Sequence, residues 1–437
     1  MRDKGADGSI GFRLPARLKE NIISMFVLQG ATYVLPLITV PYLVRVLGPS
    51  EYGELAFAQA FIAYFTIFVD YGFNLSATRR IALIRNDPDR LSRFVASVMT
   101  IKIVLAAIGF FVVFAVSMAI PRFAENRTLY LFTYVAVVGS VVFPLWLYRG
   151  LEAMKLMSIL TIAGRAVSVV GIFLFVHQRG DMLTAALIQS SAMLLSGISA
   201  LIMLRYLAPM HLVFPAAATM WETLLDGWYA FLSTSAILLY TSTNTFVLGL
   251  MVSPMDVGYY AAACKIISAV SGLVSPVSQA VYPHIVGLIA QSRDQALDFI
   301  GRLFWFQGVA TFVLSIVLFV FAGMAVRILL GPQFLPCLAL VRIMAFIPFV
   351  IGISNVLGIQ TMMPFDMKKV FSRIIGGCGL LNLVVLFPFI SYAGTSGAAW
   401  AVLTVETVVT GTMAIALMES GMLGRIVKYR VSLGGVT

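Results

Sequence analysis

Charged residues are scarce in this chain. Asp, Glu, Lys and Arg make up only 11% of its 437 residues, whereas 60% of the residues are hydrophobic. Soluble domains average about 25% charged and about 45 to 50% apolar residues. The composition therefore excludes an ordinary soluble protein and indicates an all-α polytopic membrane protein.

Cysteine and histidine are also scarce, with three of each. The histidines are scattered, and the cysteines lie in or beside apolar segments without the spacing of metal ligands. This pattern gives neither a disulfide framework nor a zinc site, and a metal-dependent enzyme has little to build on. We therefore predict no metal, no cofactor and no enzymatic activity. The cysteines are Cys264, Cys337 and Cys378.

Long polar loops are missing as well, so no connection is long enough to fold as a separate domain. About 20 apolar residues span the hydrocarbon core of a bilayer, and on this basis the chain contains twelve transmembrane helices, here called segments 1 to 12. Their approximate spans are 20–46, 54–75, 93–120, 128–148, 158–177, 182–206, 225–250, 258–289, 299–322, 336–358, 370–391 and 397–418.

Basic residues are distributed unevenly among the connections. The net charge of +11 would suggest a nucleic-acid partner in a soluble protein, but no solvated basic domain is left to bind one, and we predict none. Of the 30 Lys and Arg residues, 21 fall in the termini and in loops after even-numbered segments, against five in the other loops. Because Lys and Arg in short loops favour the cytoplasmic side, both termini are predicted to be cytoplasmic.

This topology divides the chain into two halves. A cytoplasmic tail (residues 1–19) precedes an N-terminal six-helix bundle (20–206). A cytoplasmic linker (207–224), expected to include a short helix at the membrane surface, leads to a C-terminal six-helix bundle (225–418). A basic cytoplasmic tail (419–437) ends the chain.

An internal repeat relates the two halves. An offset of 205 residues places Pro49 on Pro254 and Gly53 on Gly258. Because six helices separate the copies, the halves share one orientation and form a parallel repeat about a pseudo-two-fold axis along the membrane normal. Transporters built in this way bind their substrate between the halves.

Four cations lie inside apolar segments: Lys102, Arg165, Lys265 and Arg342. Such charges are functional candidates because they are costly in hydrocarbon, and they favour an anionic cargo such as a phosphate-bearing lipid head group. The alternative is snorkelling, in which a long side chain reaches the membrane surface. This alternative weighs more for Lys102 and Arg342 than for the other two.

Two acids are candidates for ion coupling. Asp70 in segment 2 and Glu406 in segment 12 are predicted to take up a proton or a sodium ion during transport. Asp70 also has a structural alternative, which is an ion pair with Arg79 or Arg80.

Polar residues at helical spacing mark matching faces of segments 1 and 7. Gln29 and Thr32 lie on segment 1, and Tyr240 and Asn244 lie on segment 7. We predict that these faces contact the substrate. The alternative is hydrogen bonding between packed helices without any substrate role.

Two stretches of the chain resemble a known family. Residues 28–82 read LQGATYVLPLITVPYLVRVLGPSEYGELAFAQAFIAYFTIFVDYGFNLSATRRIA, which is similar to the start of the Wzx-type O-antigen and polysaccharide flippases. Residues 227–266 read GWYAFLSTSAILLYTSTNTFVLGLMVSPMDVGYYAAACKI, which resembles the matching region after that family's central loop.

The resemblance implies a fold and a function. The family belongs to the multidrug/oligosaccharidyl-lipid/polysaccharide exporter superfamily, whose MATE-like fold is two six-helix bundles around a central cavity. Its members move undecaprenyl-pyrophosphate-linked oligosaccharides from the cytoplasmic to the periplasmic leaflet of the bacterial inner membrane by alternating access, driven by an ion gradient. The implied partners are this lipid-linked glycan, membrane lipids, a polysaccharide polymerase and a chain-length regulator.

Three other functions remain as alternatives. A lipid II cargo is disfavoured because the extra C-terminal helix pair of the related peptidoglycan-precursor flippases is absent. A multidrug cation antiporter would have the same fold, but its cations would bind poorly beside Arg165 and Lys265. A membrane polysaccharide polymerase is disfavoured because such enzymes carry a large periplasmic loop.

Overall fold

Helices form every regular element in the residues that the computed structural model describes, which are 16–207, 211 and 213–428. The α-helices are α1 (Ala16–Asp70), α2 (Phe73–Ile84), α3 (Pro88–Ala119), α4 (Pro121–Ala124), α5 (Arg127–Val142), α6 (Leu145–Gly150), α7 (Met154–Phe175), α8 (Met182–Leu207), α9 (Ala217–Thr241), α10 (Thr243–Met251), α11 (Pro254–Ser271), α12 (Val274–Gln291), α13 (Arg293–Val320), α14 (Ala322–Ala325), α15 (Leu338–Met344), α16 (Ile347–Asn355), α17 (Lys368–Glu419) and α18 (Met422–Lys428). Two π-helices and one 3-10 helix interrupt the C-terminal half: Val326–Leu330, Val356–Met362 and Pro332–Cys337.

The all-helical, polytopic fold is confirmed. Nine helical stretches of the described residues are long and apolar enough to cross a membrane. Two helices contain two predicted segments each, because α1 kinks at Gly48 (φ 73°) and α17 kinks at Gly394 (φ 54°). Glycine adopts such positive φ angles without steric strain. Together with α9 and α10, the described residues therefore contain all twelve predicted segments.

The linker differs from the prediction in one respect. Helix α9 begins at Ala217 and runs to Thr241, so the second half of the predicted linker belongs to the same helix as segment 7. Trp221, in the first turns of this helix, is exposed. No separate helix at the membrane surface is present among the described residues of this linker.

The repeated elements of the two halves pack against each other. A β-carbon added at Gly53 would lie 1.8 Å from the carbonyl oxygen of Pro254, and one added at Gly258 would lie 1.9 Å from that of Pro49. This contact is reciprocal, as expected where a two-fold axis relates two copies of one surface. Small residues at membrane-helix interfaces permit such close backbone approach. We call this region the proline end of the interface between the halves.

Two polar contacts add to the proline end. The Gln333 amide nitrogen donates to the carbonyl oxygens of Val44 and Arg45, at 3.1 and 2.9 Å. The Arg45 guanidinium donates in turn to the carbonyl oxygen of Ile328. All three hydrogen bonds join the N-terminal half to the C-terminal half.

A turn between α1 and α2 forms the opposite end of the interface. Helix α1 ends at Asp70, and Tyr71 and Gly72 follow with φ angles of 44° and 71°. The Tyr71 ring stacks on Phe231 of α9, with centroids 4.8 Å apart and planes 10° apart. We call this region the tyrosine end. The two ends thus bracket the part of α1 that follows Gly48.

Candidate functional site

A polar cavity lies between the two halves and is divided into two chambers. The first has a volume of about 400 Å³ and is lined by α1 and by C-terminal-half helices, chiefly α10, α11 and α17. It contains both charged residues of the cavity lining, Lys265 and Glu406, and we call it the charged chamber. Its polar lining residues are Tyr52, Gln59, Ser242, Asn244, Thr245, Tyr260, Lys265, Ser268, Ser271, Asn382 and Glu406.

The two charges of this chamber differ in exposure. Lys265 on α11 is exposed, with its side chain on the chamber wall, whereas Glu406 on α17 is only 7% exposed. An ammonium group is a compact point charge that suits phosphate oxygens. A buried carboxylate is instead suited to a cation or a proton, because its charge must be compensated. The chamber therefore offers one group for an anion and one for a cation.

Two buried amides share the lining of the charged chamber with Glu406. The Asn382 amide nitrogen donates to the Asn244 side-chain oxygen at 2.9 Å, which joins α17 to α10. Asn382 is fully buried and Asn244 is 4% exposed. Carboxylate and amide oxygens are hard ligands of the kind that small cations prefer. The three side chains come from three different transmembrane segments.

The second chamber has a volume of about 460 Å³ and lies against the N-terminal half. Among its described lining residues none is charged, and we call it the neutral chamber. It shares Gln59, Ala63 and Ser242 with the charged chamber, so the two chambers adjoin each other. Its lining residues are Gln59, Ile62, Ala63, Thr66, Ile67, Thr133, Ala136, Gln189, Ser190 and Ser242.

Asp70 and Lys102 form an ion pair near the tyrosine end. The Lys102 ammonium donates to the Asp70 carboxylate at 3.0 Å and to the carbonyl oxygen of Ser140 at 2.8 Å. Lys102 is 1% exposed and the Asp70 side chain 27% exposed. The Asn74 amide also donates to Asp70.

The partner of Asp70 therefore differs from the structural alternative offered by the sequence, which was Arg79 or Arg80. Arg80 instead pairs with Asp226 at 3.3 Å. Helix packing decides this outcome, because it brings α3 alongside the end of α1. Both Lys102 and Asp70 are absent from the described cavity lining.

The other two predicted cations also lie outside this lining. Arg165 on α7 is half-buried, and its guanidinium donates to the Thr32 hydroxyl at 2.7 Å, so these two predicted residues meet between α7 and α1. Arg342 is exposed and lies over the Phe319 ring, 5.9 Å from its centroid. The side chains of Gln29 and Tyr240 fall outside the described residues.

Several polar residues of interest were not singled out from the sequence. Gln59 and Gln189 both line the neutral chamber and are in direct contact, because the Gln59 amide nitrogen donates to the Gln189 side-chain oxygen at 2.7 Å. Glu54, which is 9% exposed, pairs with Arg122 at 3.3 Å near the proline end. Amide and carboxyl side chains within apolar segments are the signal that was available for all of them.

Sequence comparison identifies relatives over most of the chain. The family described as "Polysaccharide biosynthesis protein" matches residues 18–288. A protein of Escherichia coli (strain K12) named "Putative O-antigen transporter" is 34% identical over 406 residues, which cover 93% of this chain and 98% of that protein. A protein of the same name from Shigella dysenteriae is 27% identical over 395 residues, with coverage of 90% and 98%.

Solved structures share the fold. A lipid II flippase, MurJ, in an inward closed conformation has a TM-score of 0.69 at 12% identity and covers 93% of this chain and 89% of its own. An inward-facing MATE family multidrug resistance transporter has a TM-score of 0.63 at 13% identity, with coverage of 92% and 96%. These neighbours confirm the MATE-like fold. Relatives and neighbours alike are transporters or flippases, not enzymes.

Proposed function

Because the chain belongs to the polysaccharide biosynthesis protein family, we propose that it moves a lipid-linked oligosaccharide across the membrane. The observation that carries this proposal is the polar cavity between the halves, with Lys265 on its wall. A translocated glycan needs a polar environment at membrane depth, because its hydroxyl groups cannot be satisfied by lipid. The names of the two O-antigen transporter relatives support the same cargo class.

The proposed cargo is an undecaprenyl-pyrophosphate-linked oligosaccharide, an O-antigen or exopolysaccharide repeat unit. Lys265 would hold the pyrophosphate, whose oxygens attract an ammonium group, while the polyprenyl tail stays in lipid. Lys102 and Arg342 receive less support for this role, because neither lines the described cavity. Arg165 and Thr32, which bond to each other, would act by positioning α1 against α7.

The proposed direction is from the cytoplasmic to the periplasmic leaflet of a bacterial inner membrane, by alternating access with both termini cytoplasmic. Labelling of single cysteines by a membrane-impermeant reagent would test the orientation. The lipid-linked product would pass to a polysaccharide polymerase with its chain-length regulator, and co-purification would test these partners.

Ion coupling is proposed at Glu406. Its carboxylate shares the charged chamber with the bonded Asn244 and Asn382 amides, so a proton or sodium ion there would have oxygen ligands available. Asp70 is the other candidate, but it lies outside the described cavity lining and pairs with Lys102. Transport should respond to an imposed sodium or proton gradient in the wild type. The Glu406→Gln variant should lose this response.

A multidrug cation antiporter is the second candidate, and the buried carboxylate of Glu406 is the observation that favours it. A transport assay in proteoliposomes containing purified protein distinguishes the two functions. The probe is either a short-chain lipid-linked glycan or an organic cation such as rhodamine 6G. The proposed flippase moves the first and not the second. Lys265→Gln should slow glycan movement about tenfold, as expected for loss of one charge-assisted contact of about 1.5 kcal/mol.

Arg302→Gln provides a matched control. It removes one positive charge from α13, outside the described cavity lining, and should keep the wild-type rate. Movement of the organic cation alone would overturn the flippase proposal. Equal rates for Lys265→Gln and the wild type would overturn the role of Lys265.

A further inference from the structure

The two chambers of the cavity differ in charge. Both charged residues of the described lining, Lys265 and Glu406, belong to the charged chamber. The neutral chamber has hydroxyl and amide side chains in their place: Gln59, Thr66, Thr133, Gln189, Ser190 and Ser242. Nearly all of its lining comes from the N-terminal half. The charged lining residues therefore belong to the C-terminal half, and the residues of the neutral chamber belong mainly to the N-terminal half.

The paired amides of Gln59 and Gln189 are the best placed of these groups to bind a ligand. Each side-chain amide has two N–H donors and one oxygen acceptor with two lone pairs. The hydrogen bond between them, 2.7 Å long, uses only one donor and one acceptor position. Both residues are half-buried and line the chamber. The pair therefore retains donors and acceptors that can reach a molecule in the cavity.

The chemistry of these groups matches a neutral sugar. A sugar hydroxyl both donates and accepts a hydrogen bond, as an amide does. A carboxylate on an acidic sugar would find no cation among the described lining residues of this chamber, and burial without a partner would disfavour it. A pocket of several hundred Å³ has the size of sites that hold small organic ligands. The neutral chamber thus suits the uncharged part of a glycan.

We infer that the neutral chamber is a subsite for neutral sugars, in which Gln59 and Gln189 determine specificity for the glycan. This inference rests on the proposed function. Gln59 lines both chambers, so it would contact the sugars nearest the pyrophosphate held at Lys265. Gln189, on α8, would contact sugars further along the glycan.

The test compares two probes by competition binding to protein in lipid nanodiscs. One probe is undecaprenyl pyrophosphate carrying a trisaccharide of neutral hexoses, and the other is undecaprenyl pyrophosphate alone. Gln59→Leu and Gln189→Leu should each weaken binding of the first probe about tenfold, the size expected when a buried polar contact of about 1.4 kcal/mol is lost. For Gln189→Leu, which lies outside the charged chamber, binding of the second probe should stay within about twofold of the wild type.

A matched control removes an amide elsewhere. Gln279→Leu on α12 changes an exposed glutamine outside the described cavity lining, and should bind both probes as the wild type does. Unchanged binding of the trisaccharide probe by both Gln59→Leu and Gln189→Leu would overturn the subsite. Failure of the wild type to bind either probe would instead overturn the proposed function, so the two failures are distinguishable.

A gain-of-function variant keeps the inference testable if the leucine variants fold poorly. Gln189→Lys places a cation in the neutral chamber. A third probe, in which one hexose is replaced by its uronic acid, should bind the wild type more weakly than the neutral probe does. Gln189→Lys should reverse that order of preference. An unchanged order would contradict the placement of the sugars at Gln189.

Discussion

The proline end and the tyrosine end of the interface close by different physical means. They lie about 30 Å apart along α1, at roughly 1.5 Å per residue. At the proline end, two helices meet backbone to backbone at Gly53 and Gly258, reciprocally about the pseudo-two-fold axis. At the tyrosine end, a turn meets α9 through two glycines, Gly72 and Gly227, and through side chains, and a β-carbon at Gly72 would lie 2.6 Å from the Ala230 backbone.

The two ends differ in how far their contacts can shift without breaking. Helix backbones in contact at 53 and 258 leave no room for even one added carbon, so that contact is either fully made or broken. The tyrosine end combines a ring stack with an ion pair whose side chains, Arg80 and Asp226, are 55% and 63% exposed. Such groups shift or exchange with water at small cost. We expect the tyrosine end to separate first during transport, opening the cavity towards the side on which the termini lie.

The largest effect is expected at the proline end. Gly258→Val places a side chain where a β-carbon would lie 1.9 Å from the Pro49 carbonyl oxygen, which the rigid backbone cannot accommodate. The free energy of unfolding should fall by about 3 kcal/mol or more, the upper range for overpacking. Thermal unfolding in detergent measures this change. Gly411→Val is the matched control, because a β-carbon at Gly411 has no atom within 4 Å. Equal unfolding of both variants would contradict the close contact.

The second largest effect is expected for Lys102→Met. Removing the ammonium leaves the Asp70 carboxylate without its ion-pair partner beside the turn at Tyr71. Loss of one partner of a fully buried pair costs about 3 to 5 kcal/mol, and the 27% exposure of Asp70 reduces this to about 2 to 3. Chemical unfolding of the wild type, both single variants and Lys102→Met/Asp70→Asn gives the coupling energy. A double variant no more stable than Lys102→Met would argue against the pair.

A smaller effect is expected from the ring stack of the tyrosine end. Tyr71→Leu keeps an apolar side chain but removes its ring from Phe231, and aromatic pairs contribute about 0.5 to 1.5 kcal/mol beyond their buried area. A double-mutant cycle with Phe231→Leu should give a coupling energy in that range. Tyr71→Phe retains the ring and should behave as the wild type. A coupling energy near zero would mean that the ring stack does not help to close this end.

The proline end was the more predictable of the two from sequence. The lengths of the apolar runs place the transmembrane segments, and a fixed offset of 205 residues already matches Gly53 with Gly258. Sequence repetition carries this information because both copies keep the residue type that the symmetric contact needs. The repeat thus identifies these two glycines as equivalent, whereas their contact is seen only in the structure.

The tyrosine end and the cavity lining were less predictable for a physical reason. Asp70 finds Lys102, 32 positions away, instead of Arg79 or Arg80, because helix packing and not chain distance decides which charges meet. In a continuous apolar run, the sequence also does not reveal which face of the helix points into the cavity. Of the four cations inside these runs, Lys265 is the one that lines the described cavity, and the serine three residues further along its helix did not distinguish it from Arg165, which bonds to Thr32 instead.

The smallest effect on stability is expected for a change at Arg80, and this change also tests the opening of the tyrosine end most directly. Arg80→Gln removes an exposed ion pair with Asp226 that joins the two halves, and exposed pairs contribute about 0 to 1 kcal/mol, less at high salt. Arg85→Gln is the matched control, since Arg85 pairs with Glu152 at 2.8 Å within the N-terminal half. Both variants should unfold almost as the wild type does. Only Arg80→Gln should change the transport rate measured in proteoliposomes, because only that pair must separate when the tyrosine end opens. Equal rates for the two variants would mean that the Arg80 pair does not take part in opening, and that the ring stack and the glycine contacts hold this end closed.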